Sequence, residues 1–312
     1  MAHTVDEVLS GIDLTGKIFV ITGATSGLGL TAARGLASAG TTVVLAGRDP
    51  QRLRSAAEDI ESENPTAAVE TIEMELDSLT SVRSAAAELG ARFPRIDVLI
   101  NNAGVMFTPF GRTKDGFELQ LGVNHLGHFE LTRGVMPSLL NTGSARVVNL
   151  SSDGHRISDI DLDDPNWERA PYDKFKAYGA SKTANVLLTV ALDTRYRDSG
   201  VRSFAVHPGT VATSLSRHMS RDDMKAMMAL GDADREPSAA RPKLEVISPE
   251  QGAATSVWAA VSDELAGLGG LYLKDCAVSD NSMPYATDPL RAERLWTTSE
   301  LLCRSPVAGS ST

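Results

Sequence analysis

The chain has 312 residues and a formal net charge of −10, with 42% hydrophobic and 22% charged residues, the balance of a globular protein with a substantial core. Its acidity disfavours nucleic acid and anionic membrane surfaces as partners, and no apolar run approaches the roughly 20 residues that span a bilayer. Two cysteines without metal-like spacing, Cys276 and Cys303, and a start (MAHTVDEVLSG) lacking the basic and apolar parts of a signal peptide imply reduced thiols in a cytoplasmic protein.

After a polar lead-in, DLTG (13–16) turns the chain into a short apolar run, 17–21, that reads as the first strand. The glycine-rich TGATSGLG (22–29) follows and opens onto a segment with helical periodicity that stops near Gly40. Residues 42–46 read as strand two, 51–63 as a helix, 69–76 as strand three and 80–92 as a helix. Strand four is 96–100, followed directly by NNAG (101–104); a long helix is expected over 117–140 and strand five over 146–150. Further on come a helix over 172–198, strand six at 201–206, a helix at 249–262, strand seven at 270–273 and a last helix at 289–302. Apolar strands alternating with helices predict an α/β, Rossmann-type doubly wound fold, with a mainly seven-stranded parallel sheet and helices on both faces. No linker divides the series, so a single dinucleotide-binding and catalytic domain is expected over residues 1–304, followed by a flexible tail at 305–312.

The glycine stretch has the order strand, turn, helix that makes a phosphate cradle. Glycines let the backbone approach a pyrophosphate, and the free N–H groups at the helix start hold its charge. Gly23, Gly27 and Gly29 carry this spacing, with Thr25, Ser26 and Leu28 between them; a merely flexible turn is the plainer alternative. Beyond strand two, where an acidic residue would take the ribose hydroxyls, Arg48 supplies a cation suited to a 2′-phosphate. That favours NADP, although Asp49 would argue for NAD in a shifted register. Asp77 suits a bond to the adenine amino group or, equally, the cap of the next helix. Tyr178 and Lys182, four apart, share a helix face. A lysine cation beside a phenol favours the phenolate, but such pairs also simply pack together.

Together TGATSGLG, Asn101–Gly104, Asn124, Ser151-Ser152, Tyr178-x-x-x-Lys182 and Pro208-Gly209 resemble the short-chain dehydrogenase/reductase superfamily over roughly residues 14–280. Within it, NLSS, YGASKTANVLL and LYLKDC are most similar to retinol-dehydrogenase-like and carbonyl-reductase-like members. The resemblance implies Tyr178 as general acid or base, and Lys182 lowering its pKa and holding the nicotinamide ribose. It assigns the substrate oxygen to Ser152 rather than its neighbour Ser151, and a relay water to Asn124. Asn101, Ala103 and Gly104 would line the adenosine side, and Pro208, Gly209, Val211 and Thr213 the carboxamide. The implied activity is interconversion of a carbonyl and an alcohol on a fairly apolar small molecule with NADP, with NAD as the alternative cofactor. A cofactor-binding sensor without turnover, or a nucleotide-sugar epimerase or dehydratase, shares parts of the pattern.

Ser152 and Tyr178 stand 26 positions apart, about twice the family gap. The extra residues, 153–175, carry Asp159, Asp161, Asp163 and Asp164 at spacing reminiscent of a calcium loop, but lack its turn glycine and final Glu. A solvated surface insertion is expected, one that puts the family's usual tetramer in doubt while leaving a homodimer or other homo-oligomer open. Residues 214–247 form the natural substrate lid, where Met224, Met227 and Met228 either line a pocket or pack a short helix. His125 and His128, three apart, are expected to serve helix packing or hydrogen bonding, and no metal is expected.

Overall fold

The computed structural model describes residues 3–211, 215, 219, 223 and 246–304. The first half alternates β1 (Ile18–Thr22), α2 (Gly27–Ser38), β2 (Thr42–Gly47), α3 (Pro50–Glu63), β3 (Ala68–Glu73), α4 (Leu79–Arg92) and β4 (Val98–Asn101), preceded by a short α1 (Val5–Leu9). After β4 come α5 (Leu119–Leu121), a π-helical turn (Gly122–Leu126), α6 (Gly127–Leu140), β5 (Ala145–Leu150), α7 (Lys174–Tyr196), β6 (Val201–His207) and β7 (Thr210–Val211). Beyond these lie β8 (Val246–Ile247), α8 (Pro249–Val261), β9 (Leu271–Lys274), β10 (Ala277–Val278), α9 (Pro284–Thr287) and α10 (Pro289–Arg304).

The main sheet has the order β10-β9-β6-β5-β4-β1-β2-β3, parallel except for β10, and β7 pairs with β8 apart from it. Successive strand residues point to opposite faces. Val20, Val44, Leu99 and Val147 therefore face α4, α6 and α7, whereas Phe19, Ile21, Val43, Leu45 and Val148 face α2, α3 and α8. The chain runs outward from β1 through β3 and then returns to place β4 on the other side of β1. That reversal opens a crevice at the carboxyl ends of β1 and β4, where ligands of such sheets bind.

The sheet has eight strands rather than seven. The extra strand, β10, is two residues long and is joined to β9 through Asp275 and Cys276, both at φ 53°. Two consecutive positive φ values are what a tight hairpin needs, but the usual Asn-Gly signal is missing. The third strand ends at Glu73 instead of residue 76, because beyond Met74, whose N–H still reaches the Gly47 carbonyl, the chain leaves the sheet. Asp77 consequently sits in a loop. The polar lead-in contains α1, closed by a reciprocal Thr4/Glu7 cap and buried through Val5 and Leu9.

The expected helix over 117–140 runs without interruption from Leu119 to Leu140 but widens into a π-turn inside: Gly127 N–H bonds the Gly122 carbonyl five residues back, one residue wider than an α-turn. A side chain at Gly127 would stand 2.6 Å from the Leu76 carbonyl, so this close crossing requires glycine. Residues 153–175 are only in part a solvated insertion. Ile160 and Leu162 are buried, Arg291 and Arg294 of α10 pair with Asp159 and Asp163, and Asp164 accepts from the N–H groups of Glu168, Arg169 and Ala170. The aspartate spacing thus serves docking and a local turn, and among the described residues no acidic or His/Cys group is arranged to hold a metal ion. The lid region, with Met224, Met227 and Met228, and the tail lie outside the described residues, apart from Leu215, Met219, Asp223, Val246 and Ile247.

Candidate active site

The glycine turn leaves β1 at Gly23 (φ 67°) and enters α2 at Gly27 (φ 56°). A Cβ on Gly23 would lie 3.0 Å from the Ala103 Cα, and one on Gly29 would lie 2.5 Å from Asn102 Nδ2 and 2.6 Å from the Gly23 carbonyl oxygen. Ser26 occupies the N-cap of α2, yet its side chain makes no capping bond and no acidic residue stands in the first turn. Helix N–H groups unclaimed by a cap, beside a backbone stripped of side chains, fit a pyrophosphate. Thr25 faces the start of α3 near Arg52 and Ser55, and Leu28 packs against the β-sheet face that carries α8. Gly29→Ala is therefore expected to reverse the usual preference of helices for alanine. Overpacking here lowers stability by about 1–3 kcal/mol and abolishes dinucleotide binding, as thermal melting and cofactor titration would show.

Arg48 is exposed just past β2, without a hydrogen bond or ion pair among the described residues, whereas the Asp49 carboxylate accepts from Gln51 and Arg52 N–H as the cap of α3. Asp77 is not the cap of α4; Ser78 caps it, and Asp115 takes the Leu79 N–H. Beyond β4 the four residues of NNAG divide their work. Asn101 is buried, with its amide donating to Thr132 and Asn149, so its side chain faces away from the crevice. Asn102, which the sequence reading left out of the site, donates to the Thr22 carbonyl at 2.8 Å and braces the glycine turn. Its only sequence signal is its place beside Asn101. The N–H groups of Asn102 and Ala103 both bond Thr22 Oγ1, and Gly104 lies against Asn124 Oδ1.

Asn124 sits within the π-turn. Its side chain accepts from Val105 N–H (2.8 Å) and donates to the Val105 carbonyl and Ser181 Oγ, both at 2.9 Å. Along α7, Lys182 Nζ lies 5.6 Å from the centre of the Tyr178 ring and donates to the Leu150 carbonyl at 3.0 Å. Burial pulls Lys182 down to about 8. Burial also pushes the Tyr178 phenol up to about 12, partly offset by a hydrogen bond with Ser152. The expectation that Lys182 sets a low phenol pKa thus meets a larger opposing effect, the loss of solvent around the ring. The two neighbouring serines separate cleanly. Ser151 Oγ donates to the Lys182 carbonyl in the core, while Ser152 Oγ reaches Tyr178 and accepts from Gly154 N–H. Phe107 meets the Tyr178 ring edge-on at 5.0 Å and Phe175 at 4.7 Å, forming an apolar wall beside it.

Pro208 and Gly209 (φ 79°) follow β6, and Val211 pairs with Ile247 in the small sheet; Thr213 lies outside the described residues. The structure therefore brings the loops after β1, β4, β5 and β6 together at one end of the sheet, with a phenol, an ammonium and a hydroxyl in one cluster. Such a set can bind a dinucleotide and pass a proton to an oxygen.

The sequence model of the short chain dehydrogenase family matches residues 17–224. Human retinol dehydrogenase 13 is 40% identical over 290 residues, covering 93% of this chain and 85% of that protein. The chain is a short-chain dehydrogenase. As a retinol-dehydrogenase-like member of that oxidoreductase family, it also has close structural counterparts. A crystal structure of a Mycobacterium paratuberculosis protein matches this short-chain dehydrogenase with a TM-score of 0.75 at 32% identity, covering 99% of this chain and all of the other. A Beutenbergia cavernae protein assigned as an NAD(P)-dependent gluconate 5-dehydrogenase, solved with bound NADP, matches with a TM-score of 0.65 at 28% identity over 84% of this chain and 96% of that one. Among the described residues of this short-chain dehydrogenase, no helix is long and apolar enough to cross a membrane.

Proposed function

We propose that the protein is an NADP-dependent oxidoreductase that interconverts a carbonyl and an alcohol on an apolar small molecule, with Tyr178 as general acid and base. The observation that carries this reading is the cluster of Tyr178, Lys182 and Ser152 beside a glycine turn whose helix N-terminus is uncapped. Arg48 supports NADP over NAD, since its rival Asp49 already caps α3 and an exposed guanidinium beyond β2 suits a 2′-phosphate. Phe107 and Phe175 support an apolar substrate.

The bound nicotinamide would supply the hydride to the carbonyl carbon. The chain's own residues handle the oxygen. Ser152, whose Oγ accepts from Gly154 N–H, keeps its own proton free to donate to the substrate oxygen. Tyr178, neutral at physiological pH because burial raises its pKa, donates its phenolic proton to that oxygen. The Lys182 ammonium, held by the Leu150 carbonyl, then stabilises the phenolate left behind. In the oxidative direction the phenolate must form first.

The test is NADPH oxidation by the purified protein against aldehydes, ketones and quinones, with NADH in parallel. Turnover preferring NADPH is expected; tight NADPH binding without turnover on any of them would favour the sensor alternative. The pH dependence has a definite sign. Lys182 with a depressed pKa of about 8 is cationic below that value and neutral above it. The reductive kcat/KM for NADPH, which follows the groups of the free protein, is therefore expected to be level below about pH 7 and to fall through pH 8–9, whereas a rise over that interval would contradict the role given to the ammonium.

A further inference from the structure

Two buried histidines flank Asn124 and turn in opposite directions. His125 Nε2 meets Ser299 Oγ of α10 at 2.8 Å, and His128 lies between the glycine turn and the π-turn. His128 Nε2 is 2.9 Å from Thr22 Oγ1, and its Nδ1 is 3.1 Å from the Asn124 carbonyl oxygen.

The proton positions follow from counting. Thr22 Oγ1 accepts from the N–H groups of Asn102 and Ala103, both at 2.9 Å, which fills the two acceptor sites of a hydroxyl. Its own proton must then point at His128 Nε2, which has to be bare. The imidazole is completely buried with the Lys182 cation nearby, conditions that keep it neutral. Its single proton is therefore on Nδ1 and donates to the Asn124 carbonyl. A directed chain results, from the Asn102 and Ala103 amides through Thr22 and the ring of His128 to the backbone oxygen of Asn124. Chains of this kind polarise and stiffen one another in a low-dielectric interior.

We infer that His128 is a positioning residue, locked as the neutral Nδ1–H tautomer, that couples the cofactor-binding turn at Thr22-Gly23 to the π-turn presenting Asn124 beside Lys182. The kinetic consequence rests on the oxidoreductase function proposed above; the tautomer does not. One ring thus fixes the glycine turn, which would hold the dinucleotide, against the residue expected to hold the relay water. In the plain alternative the ring only fills space.

Two measurements separate these. In histidine labelled with nitrogen-15, the long-range nitrogen–proton spectrum, assigned by comparison with His128→Gln, should show a protonated Nδ1 and a bare Nε2. An Nε2–H tautomer would overturn the inference. In turnover, His128→Gln can still accept from Thr22 but its amide is displaced from the Asn124 carbonyl, whereas the shorter His128→Asn can return an N–H to that carbonyl. Misplacement at a reacting centre costs about 100-fold, so the glutamine variant should lose kcat on that scale with an NADPH KM within about threefold of the parent. The asparagine variant should recover at least about tenfold of that loss. Equal losses in both variants, tracking their melting temperatures, would reduce His128 to packing. A parent protein without turnover would instead count against the oxidoreductase reading, and the spectrum would still decide the tautomer.

Discussion

Tyr178→Phe is expected to lower kcat for carbonyl reduction by about 10²–10⁴-fold, the usual worth of a positioned general acid. The substitution removes one oxygen and nothing else that holds the fold. The Phe107 edge contact at 5.0 Å is made by the ring, and Ser152, the hydroxyl's partner, is only half-buried and already engaged by Gly154 N–H. Melting temperature and NADPH affinity should consequently stay near those of the parent, while steady-state turnover collapses. Turnover within threefold of the parent, in a protein that still binds NADPH, would mean that another group supplies the proton. Ser151 is no candidate for that role, because its hydroxyl is committed to the Lys182 carbonyl in the interior.

The second large effect is expected at Arg48. A hydrogen bond to a charged partner contributes about 1.5–3 kcal/mol, so Arg48→Ser should lower kcat/KM for NADPH by roughly 10–150-fold and leave that for NADH nearly unchanged. Arg48→Glu should go further, because a carboxylate would face the dianionic 2′-phosphate. Neither change should alter stability by more than about 0.5 kcal/mol, since the exposed guanidinium contacts nothing that packs the fold. The comparison is made with both cofactors at one carbonyl substrate. An unchanged NADPH-to-NADH ratio in both variants would transfer phosphate recognition elsewhere, with Arg52, beside Thr25 at the start of α3, the next residue to replace.

Much of this arrangement was legible in the chain because its signals are local. A buried parallel strand must be a short apolar run, and a dinucleotide turn must follow the first one, so β1, the glycine turn and α2 appear in order between Ile18 and Ser38. Tyr178 and Lys182 needed only the pitch of a helix. What escaped depends on partners distant in sequence. The π-turn ends where Gly127 crosses close over Leu76, and nothing in residues 117–140 alone announces that crossing. Asp159 and Asp163 read as part of a solvated surface insertion because the arginines that answer them lie on α10, more than a hundred residues away. The phenol's raised pKa follows from how completely α7 buries Tyr178, which four-residue spacing cannot reveal. β10 was missed for a local reason, a hairpin turn built from Asp and Cys at positive φ where Gly or Asn is usual.

The last helix has a bearing on how the protein comes into being. All four residues assigned to proton handling lie before residue 183, but His125, next to Asn124, meets Ser299 Oγ at 2.8 Å, and the Phe129 ring meets Trp296 at 5.0 Å. Arg83 also reaches forward, to the Cys303 carbonyl. A ribosome that has already released the cofactor turn, the tyrosine and the lysine still holds back the strip that closes over the π-turn. Until it emerges, a buried imidazole lacks its hydroxyl and an apolar face lies open, a loss of about 1–3 kcal/mol for the unpaired group alone. Birth of a working molecule therefore waits on residues 289–304, and a transcript with a premature stop shortly before residue 296 would yield a chain with every reactive side chain present but with His125 lacking its Ser299 hydroxyl and Phe129 lacking its Trp296 neighbour.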